Sequence, residues 1–403
     1  MRKALSSRIV VIGLALFAMI FGGGNLMFPL YVGLTSGNHF WWAVSGFLLT
    51  AVLLPFIGLL SIILFDGNYC AFFQRIGNRM GLLLLFVCVM VIGPLIGIPR
   101  IVTLSHTMLQ PWLSATSILM FSAVYLLLNV IGAWHKALLV SLFAYIVTPL
   151  ILLCLGIIVS HGLLLPGTIS VTSASSVTIF TREVMYGFST LDVLAVIFFG
   201  ALMLTLLKRM MLHETRAQVM RFAFIAFYGG LLAFVVLAIV YIGLAYVGHK
   251  HGSCVSFAHA GDLFREVAGR LLGRSGCVVI PLTVFAVCYT TSVALLVVTA
   301  QYLQETFFDN RIGYRLSLVI AGALSFVPCY LGLSRILDLT AGPVASVLYP
   351  TVIALMLCNV AYKIYGIRSV KMPVLLTFLI SSALYAYQLV AQWGIMDAPG
   401  RFL

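Results

Sequence analysis

The chain has 403 residues, of which 63% are hydrophobic and 8% charged, with a net charge of +13 and a mean hydropathy of +1.16. A soluble globular domain carries about 25% charged residues, so this composition excludes water as the main solvent and a soluble body as the fold. The 23 basic residues lie in breaks between apolar runs rather than in one stripe, which argues for membrane lipid and against nucleic acid as the surrounding partner.

Apolar stretches of about 20 residues, each long enough to cross a hydrocarbon core of about 30 Å as a helix, recur along the whole sequence. Breakers divide them into about eleven predicted spans, giving an all-α polytopic membrane protein with one transmembrane domain over 1–403. The first, near 9–31, follows Met1-Arg2-Lys3 as a secretory signal would. No small-residue cleavage pattern follows it, so it is expected to be a retained helix. Within it lies Phe21-Gly22-Gly23-Gly24-Asn25, with Pro29 beyond. An unpaired backbone group in hydrocarbon costs several kcal/mol, so a helix opens at membrane depth only where it lines a cavity or is buried by protein. The N–H groups after such a break suit a carboxylate and the carbonyls before it suit a cation. The same glycines would also permit close helix packing.

Span two is expected near 40–65 and span three near 80–109. The latter carries Gly93-Pro94-Leu95-Ile96-Gly97-Ile98-Pro99-Arg100, a kinked helix whose Arg100 either meets a carboxylate such as Asp338 at an outer gate or, the favoured reading, snorkels to the interface. Spans four and five follow near 114–133 and 138–160. Span six, near 178–207, contains Phe188-Ser189-Thr190-Leu191-Asp192. Asp192 is the only carboxylate expected well inside the hydrocarbon, where an ionised group is expensive unless paired or coordinating; the competing reading is an interfacial helix cap.

After span seven, near 217–247, the loop 248–275 places Leu263, Phe264, Val267 and Leu271 at helical spacing among Asp262, Arg265, Glu266 and Arg270, which predicts a short amphipathic helix on the outer face. His249, His251, Cys254 and His259 fall in the same loop. By type they could hold a metal, but their spacing fits no common site and a solvated loop is the better reading. Span eight, near 276–303, holds Tyr289-Thr290-Thr291-Ser292, hydroxyls that suit a hard cation or simply bond back to the preceding turn. Spans nine to eleven are expected near 314–331, 339–362 and 372–393.

Tryptophans at span ends support these boundaries, and basic residues divide 15 to 7 between alternate loops, which places the amino terminus in the cytoplasm and, with eleven spans, the carboxyl terminus outside. The eight cysteines show no CxxC pair. Tyr145-Ile146-Val147-Thr148-Pro149 in span five echoes Val347-Leu348-Tyr349-Pro350 in span ten, and the interrupted spans one and six are likewise five apart. Corresponding breaks in two halves point to a secondary transporter's binding site. HExxH, GxSxG and GxxxxGK[ST] are absent, so neither ATP-driven transport nor familiar hydrolase chemistry is indicated.

The run Phe21 to Pro29, the run Gly93 to Arg100, Thr190-Leu191-Asp192, Leu331-Gly332-Leu333-Ser334 and Leu348-Tyr349-Pro350 together resemble the bacterial branched-chain amino acid:cation symporter family of the BrnQ type. The resemblance, through the amino acid/polyamine/organocation superfamily, implies a five-plus-five inverted-repeat, LeuT-like fold with broken helices 1 and 6. Its repeats would cover about 8–160 and 176–363, with an extra helix about 372–393. It implies a carrier, not an enzyme, taking up leucine, isoleucine and valine with sodium as coupling ion and no further cofactor. Residue by residue, it implies a substrate site of Gly22, Gly23, Gly24, Asn25, Thr190 and Asp192. Sodium would be held by Asn25 and Thr190, by carbonyls of Ile20 and Phe21, and at a second position by Thr290 and Thr291. Two departures stand out: family members usually have a twelfth span, and Thr291 is not expected throughout the family.

Overall fold

The computed structural model describes residues 2–113, 116–169, 171–210, 219–255, 260–367 and 369–396. Within them every regular element is helical, as hydrocarbon demands of a chain that must satisfy its backbone polar groups internally. Among the described residues seven helices are long and apolar enough to span a membrane, nine spans if each bent pair is counted as one, and two shorter apolar helices lie at the positions of predicted spans four and nine.

In chain order, α1 (Arg2–Ile20) and α2 (Gly23–Thr35) form the first bent pair, turned by 75° at the predicted break. They are followed by α3 (Phe40–Leu64), α4 (Asn78–Trp112), α5 (Ile118–Ala133) and α6 (Leu139–Leu164). The second bent pair, turned by 41°, is α7 (Ser176–Thr190) with α8 (Asp192–Lys208). Next come α9 (Val219–His251), the short α10 (Ala260–Leu272), α11 (Gly276–Tyr302), α12 (Tyr314–Cys329), α13 (Gly332–Tyr365) and α14 (Lys371–Met396). The echo between spans five and ten has a structural counterpart. A π-helical segment, Phe143–Val147, runs directly into Thr148-Pro149, and another, Thr340–Leu348, runs directly into Tyr349-Pro350.

The interior is built around α1, α2 and α11. Phe17, Phe21 and Leu26 on the broken span and Val293, Leu296 and Val297 on α11 are buried, because neighbouring helices enclose them on all sides. The amphipathic α10 forms as expected, with Leu263, Phe264, Val267 and Leu271 buried and Arg265 reaching Asp262 at 3.3 Å and Glu266 at 2.8 Å. Lipid-facing positions such as Leu164, Val278 and Tyr387 are exposed, as the bilayer allows.

Close crossings fix the broken span against α9. A Cβ on Gly33 would collide with the Ala245 carbonyl oxygen, and one on Gly248 with the Leu30 carbonyl oxygen. Backbone cannot yield as a flexible side chain can, so small residues are required here. Gly33→Val or Gly248→Val should each destabilise the protein by about 3 kcal/mol or more, the upper end of the cost of overpacking. Gly156→Val, on an exposed face with nothing within 4 Å of its Cβ, should be neutral. Thermal denaturation of detergent-extracted protein, followed by size-exclusion chromatography, measures the contrast.

Candidate functional site

The two helix breaks face one another. Gly22 is extended (φ −99°, ψ −178°), so the chain leaves α1 and re-enters helix within two residues, and the Asn25 N–H closes the first turn onto the Gly22 carbonyl at 2.9 Å. The N–H groups at the start of α2 have no carbonyl a turn earlier to bond. In span six, the turn Phe188–Thr190 ends on Leu191, a left-handed residue (φ 65°, ψ 13°). That conformation costs a residue with a side chain roughly 1–2 kcal/mol, and such strain collects at functional sites.

Asn25 ties the breaks together. Its amide nitrogen donates to the Ile20 carbonyl at 2.9 Å and to the two carboxylate oxygens of Asp192 at 3.3 and 3.4 Å. The Tyr241 hydroxyl of α9 donates to Asp192 Oδ2 at 3.2 Å. Asp192 does begin a helix, as the capping alternative held, and it is buried within the protein at 3% exposure. The Val193 N–H donates to the Tyr349 hydroxyl of α13 at 3.0 Å. Tyr349 thus closes the start of α8, while the start of α2 borders a cavity.

That cavity encloses about 50 Å³, several times the roughly 10–15 Å³ a single water needs. Ile20, Gly22, Gly23, Gly24, Asn25, Thr190, Asp192 and Thr291 all line it, so the structure brings together most of the residues singled out in the sequence. Arg100, Ile92, Ile101, Phe199 and Leu295 complete its main walls. Phe21 and Thr290 are not among its lining residues. The Phe21 ring stacks on Phe17 with centroids 5.1 Å apart. The Thr290 hydroxyl donates to the Ala286 and Val287 carbonyls of its own helix at 3.0 and 3.1 Å, the back-bonding expected of a lone hydroxyl. Thr291 instead crosses to the broken span and donates to the Ala18 carbonyl at 3.5 Å. Thr190 donates to the Gly187 carbonyl at 2.9 Å and receives the Asp192 N–H at 3.4 Å.

The packing role of the glycines and their place at the cavity coexist. A Cβ on Gly23 would stand 2.7 Å from Cys288 Sγ, and one on Gly24 would stand 2.9 Å from Arg100 Nη2.

Two expectations are corrected. Arg100 neither snorkels nor meets Asp338: it is 4% exposed, its Nη1 donates to the Ser189 carbonyl at 2.8 Å, and its guanidinium lies over the Phe28 ring at 5.0 Å. The cause is the break in α4, where Gly93 leaves helical geometry (φ −92°, ψ −112°) ahead of Pro94; beyond it the helix restarts at Gly97 with Arg100 facing inward. Nor do His249 and His251 belong to a solvated loop. They end α9 in buried positions, with His249 Nδ1 3.0 Å from Ser36 Oγ and His251 Nε2 2.9 Å from the Gly162 carbonyl. Among the described residues no group of three or more His, Cys, Asp or Glu could hold a metal; His259 and the Cys254 side chain lie outside them.

Arg100, read as an interfacial or gate residue, and Tyr241 and Tyr349, read as having no role at the site, belong to it. Arginine inside an apolar span is a functional signal by default, but for the tyrosines only the Leu348-Tyr349-Pro350 motif offered any.

Residues 5–396 match the model of the family described as branched-chain amino acid transport protein. The chain belongs to that family. It is 30% identical over 360 residues to the branched-chain amino acid transport system 3 carrier protein of Pseudomonas aeruginosa, covering 88% of this chain and 80% of that relative. It is 27% identical over 374 residues to the branched-chain amino acid permease BrnQ of Bacillus subtilis, covering 90% and 83%. This is a family of carriers, not of enzymes. A solved manganese transporter of Eremococcus coleocola, in complex with an aromatic bis-isothiourea substituted compound, superposes with a TM-score of 0.60 at 14% identity, over 98% of this chain and 88% of that one. A substrate-bound, outward-open Na+-coupled sialic acid symporter superposes with a TM-score of 0.53 at 13% identity, over 93% and 90%. At such identities the likeness establishes the fold: the LeuT-like transporter architecture, with its first and sixth spans broken.

In this family member, Tyr349→Phe should leave the Val193 N–H without its acceptor and lower stability by about 1–3 kcal/mol, the cost of a buried unsatisfied group. Tyr330→Phe, at a position 76% exposed, serves as the silent control. Thermal denaturation of the two variants beside the parent decides it.

Proposed function

We propose that the chain is a secondary active symporter that takes up branched-chain amino acids, leucine, isoleucine and valine, with sodium as the coupling ion, by alternating access in a bacterial cell (inner) membrane. The observation that carries this reading is the meeting of two helix breaks around one buried carboxylate, Asp192, in a cavity that also presents the aliphatic side chains of Ile20, Ile92, Ile101 and Leu295. Family membership supports the substrate class.

The substrate carboxylate is received by the free N–H groups of Gly23 and Gly24, where the α2 dipole favours negative charge. The ammonium pairs with Asp192. Ile20, Ile92, Ile101 and Leu295 offer an aliphatic side chain the apolar surface its desolvation requires.

Three oxygens, those of Ile20 and of the Asp192 carboxylate, converge on the Asn25 amide nitrogen. Turning that amide over would add its own oxygen to the cluster, and such an oxygen set suits a hard cation like sodium. Thr190 stands beside it, and the Ala18 carbonyl with Thr291 forms the second oxygen pair. Sodium binding orders the broken segments and raises substrate affinity, and linkage makes the effect reciprocal. The repeats, about 8–160 and 176–363, then rock about the site, with the amino terminus on the cytoplasmic side as the basic-residue bias directs.

A second reading, proton coupling, draws on the neutral groups, Asn25 and Tyr241, that bond the Asp192 carboxylate among the described residues. Uptake of radiolabelled leucine into proteoliposomes at fixed pH separates the two. Replacing sodium by choline should weaken leucine affinity by about 5- to 150-fold, the usual range of coupling between sites, and undiminished uptake would refute sodium coupling. Asp192→Asn should reduce uptake by about ten- to a hundredfold, as expected when a charged partner is lost.

A further inference from the structure

Arg100 holds a donor that no group among the described residues uses. Its residue is more than nine-tenths buried, Nη1 is engaged by the Ser189 carbonyl, and the Phe28 ring covers the guanidinium face. Among the described residues Nη2 has no hydrogen-bond partner. The ring contact does not satisfy it, because the N–H bonds of a guanidinium lie in its plane rather than along the face that meets the ring. A buried donor without an acceptor is costly, and a native fold that keeps one does so for a reason.

The location supplies the reason. Arg100 lines the same cavity as Asp192, yet among the described residues the two form no direct ion pair. A cation and an anion therefore share one small cavity without neutralising each other by contact. Nη2 stands so near Gly24 that a Cβ there would come within 2.9 Å of it, which places it beside the N-terminal N–H groups of α2. Donors of Arg100 and of the first turn of α2 thus lie close together at the cavity, whose lining also carries the Asp192 carboxylate.

We propose that Arg100 Nη2 binds the α-carboxylate of the transported amino acid together with the start of α2, so that Arg100 and Asp192 grip the two charges of a zwitterion and Arg100 makes the carboxylate obligatory. This rests on the transport reading above and adds a specificity-determining residue to it. Arginine suits the task because its planar fork keeps one nitrogen on Ser189 while offering the other to the ligand; lysine must serve both from a single nitrogen. Ser189 belongs to the broken segment of span six, so the residue that receives the carboxylate also braces the break that carries Asp192.

The test uses the full chain in nanodiscs, with thermal stabilisation and displacement of radiolabelled leucine as readouts, and compares L-leucine with leucinamide, which keeps the ammonium and side chain but lacks the carboxylate. A charge-assisted contact is worth about ten- to a hundredfold in affinity, so the wild type should prefer leucine by about thirtyfold. Arg100→Gln should shrink that preference to within about threefold, and Arg100→Lys should leave an intermediate value. A purely structural arginine would alter melting temperature and both affinities together and leave their ratio unchanged. Equal binding of leucine and leucinamide by the wild type overturns the proposal and needs no variant to fold. An undiminished preference in Arg100→Gln or Arg100→Lys overturns it as well. A wild type that responds to none of leucine, isoleucine and valine refutes the transport reading itself, and this assignment with it.

Discussion

The contact between Asn25 and Asp192 holds the fold's two interruptions together across the middle of the molecule. In hydrocarbon a helix cannot simply stop, because each backbone group stripped of its partner costs several kcal/mol. The freed groups must be met by protein or face a cavity, and both occur here. The Ile20 carbonyl is met by Asn25, the Ser189 carbonyl by Arg100 and the Val193 N–H by Tyr349. The start of α2 is left facing the cavity. The site is thus the remainder after the breaks have been stabilised by Asn25 of the broken span itself and by two neighbouring spans.

This arrangement explains why so much of the surroundings is immobilised by close packing. Gly33 and Gly248 let α2 and α9 touch backbone to backbone, and α9 also carries Tyr241 to Asp192. Gly248, which seats one half of the broken span, and Tyr241, which orients the buried carboxylate, lie on the same helix. Shifts of α9 relative to the broken span would therefore be felt at Asp192, a physical link between packing and binding of the kind alternating access requires.

How far the sequence discloses this depends on which physical signal each feature leaves. Hydropathy marks eleven spans because lipid tolerates little else, and the boundaries agree with the helices to within a few residues, with α13 beginning earlier than its apolar run. Gly22-Gly23-Gly24-Asn25 is legible as a break because it interrupts an apolar run at membrane depth, and Asp192 is legible because an acid is rare at that depth. Arg100 was misread for a definite reason: hydropathy gives the depth of a residue but not its facing, and the irregular turn at Gly93 rotates the following segment inward. Tyr241 and Tyr349 read as ordinary apolar-span residues, because only the three-dimensional meeting of α8, α9 and α13 gives their hydroxyls partners. Thr290 and Thr291 show the same gap at single-residue scale; adjacent hydroxyls on one helix point to different neighbours, and only Thr291 reaches the broken span.

The central claim is that the cavity between the two breaks seats the transported amino acid. An experimental structure of the protein with L-leucine and sodium tests it most directly. The account predicts leucine density in that cavity, with the carboxylate at the Gly23 and Gly24 N–H groups and the ammonium toward Asp192. Leucine bound at another place, with the space between Asn25, Arg100 and Asp192 holding none of it, would contradict the account.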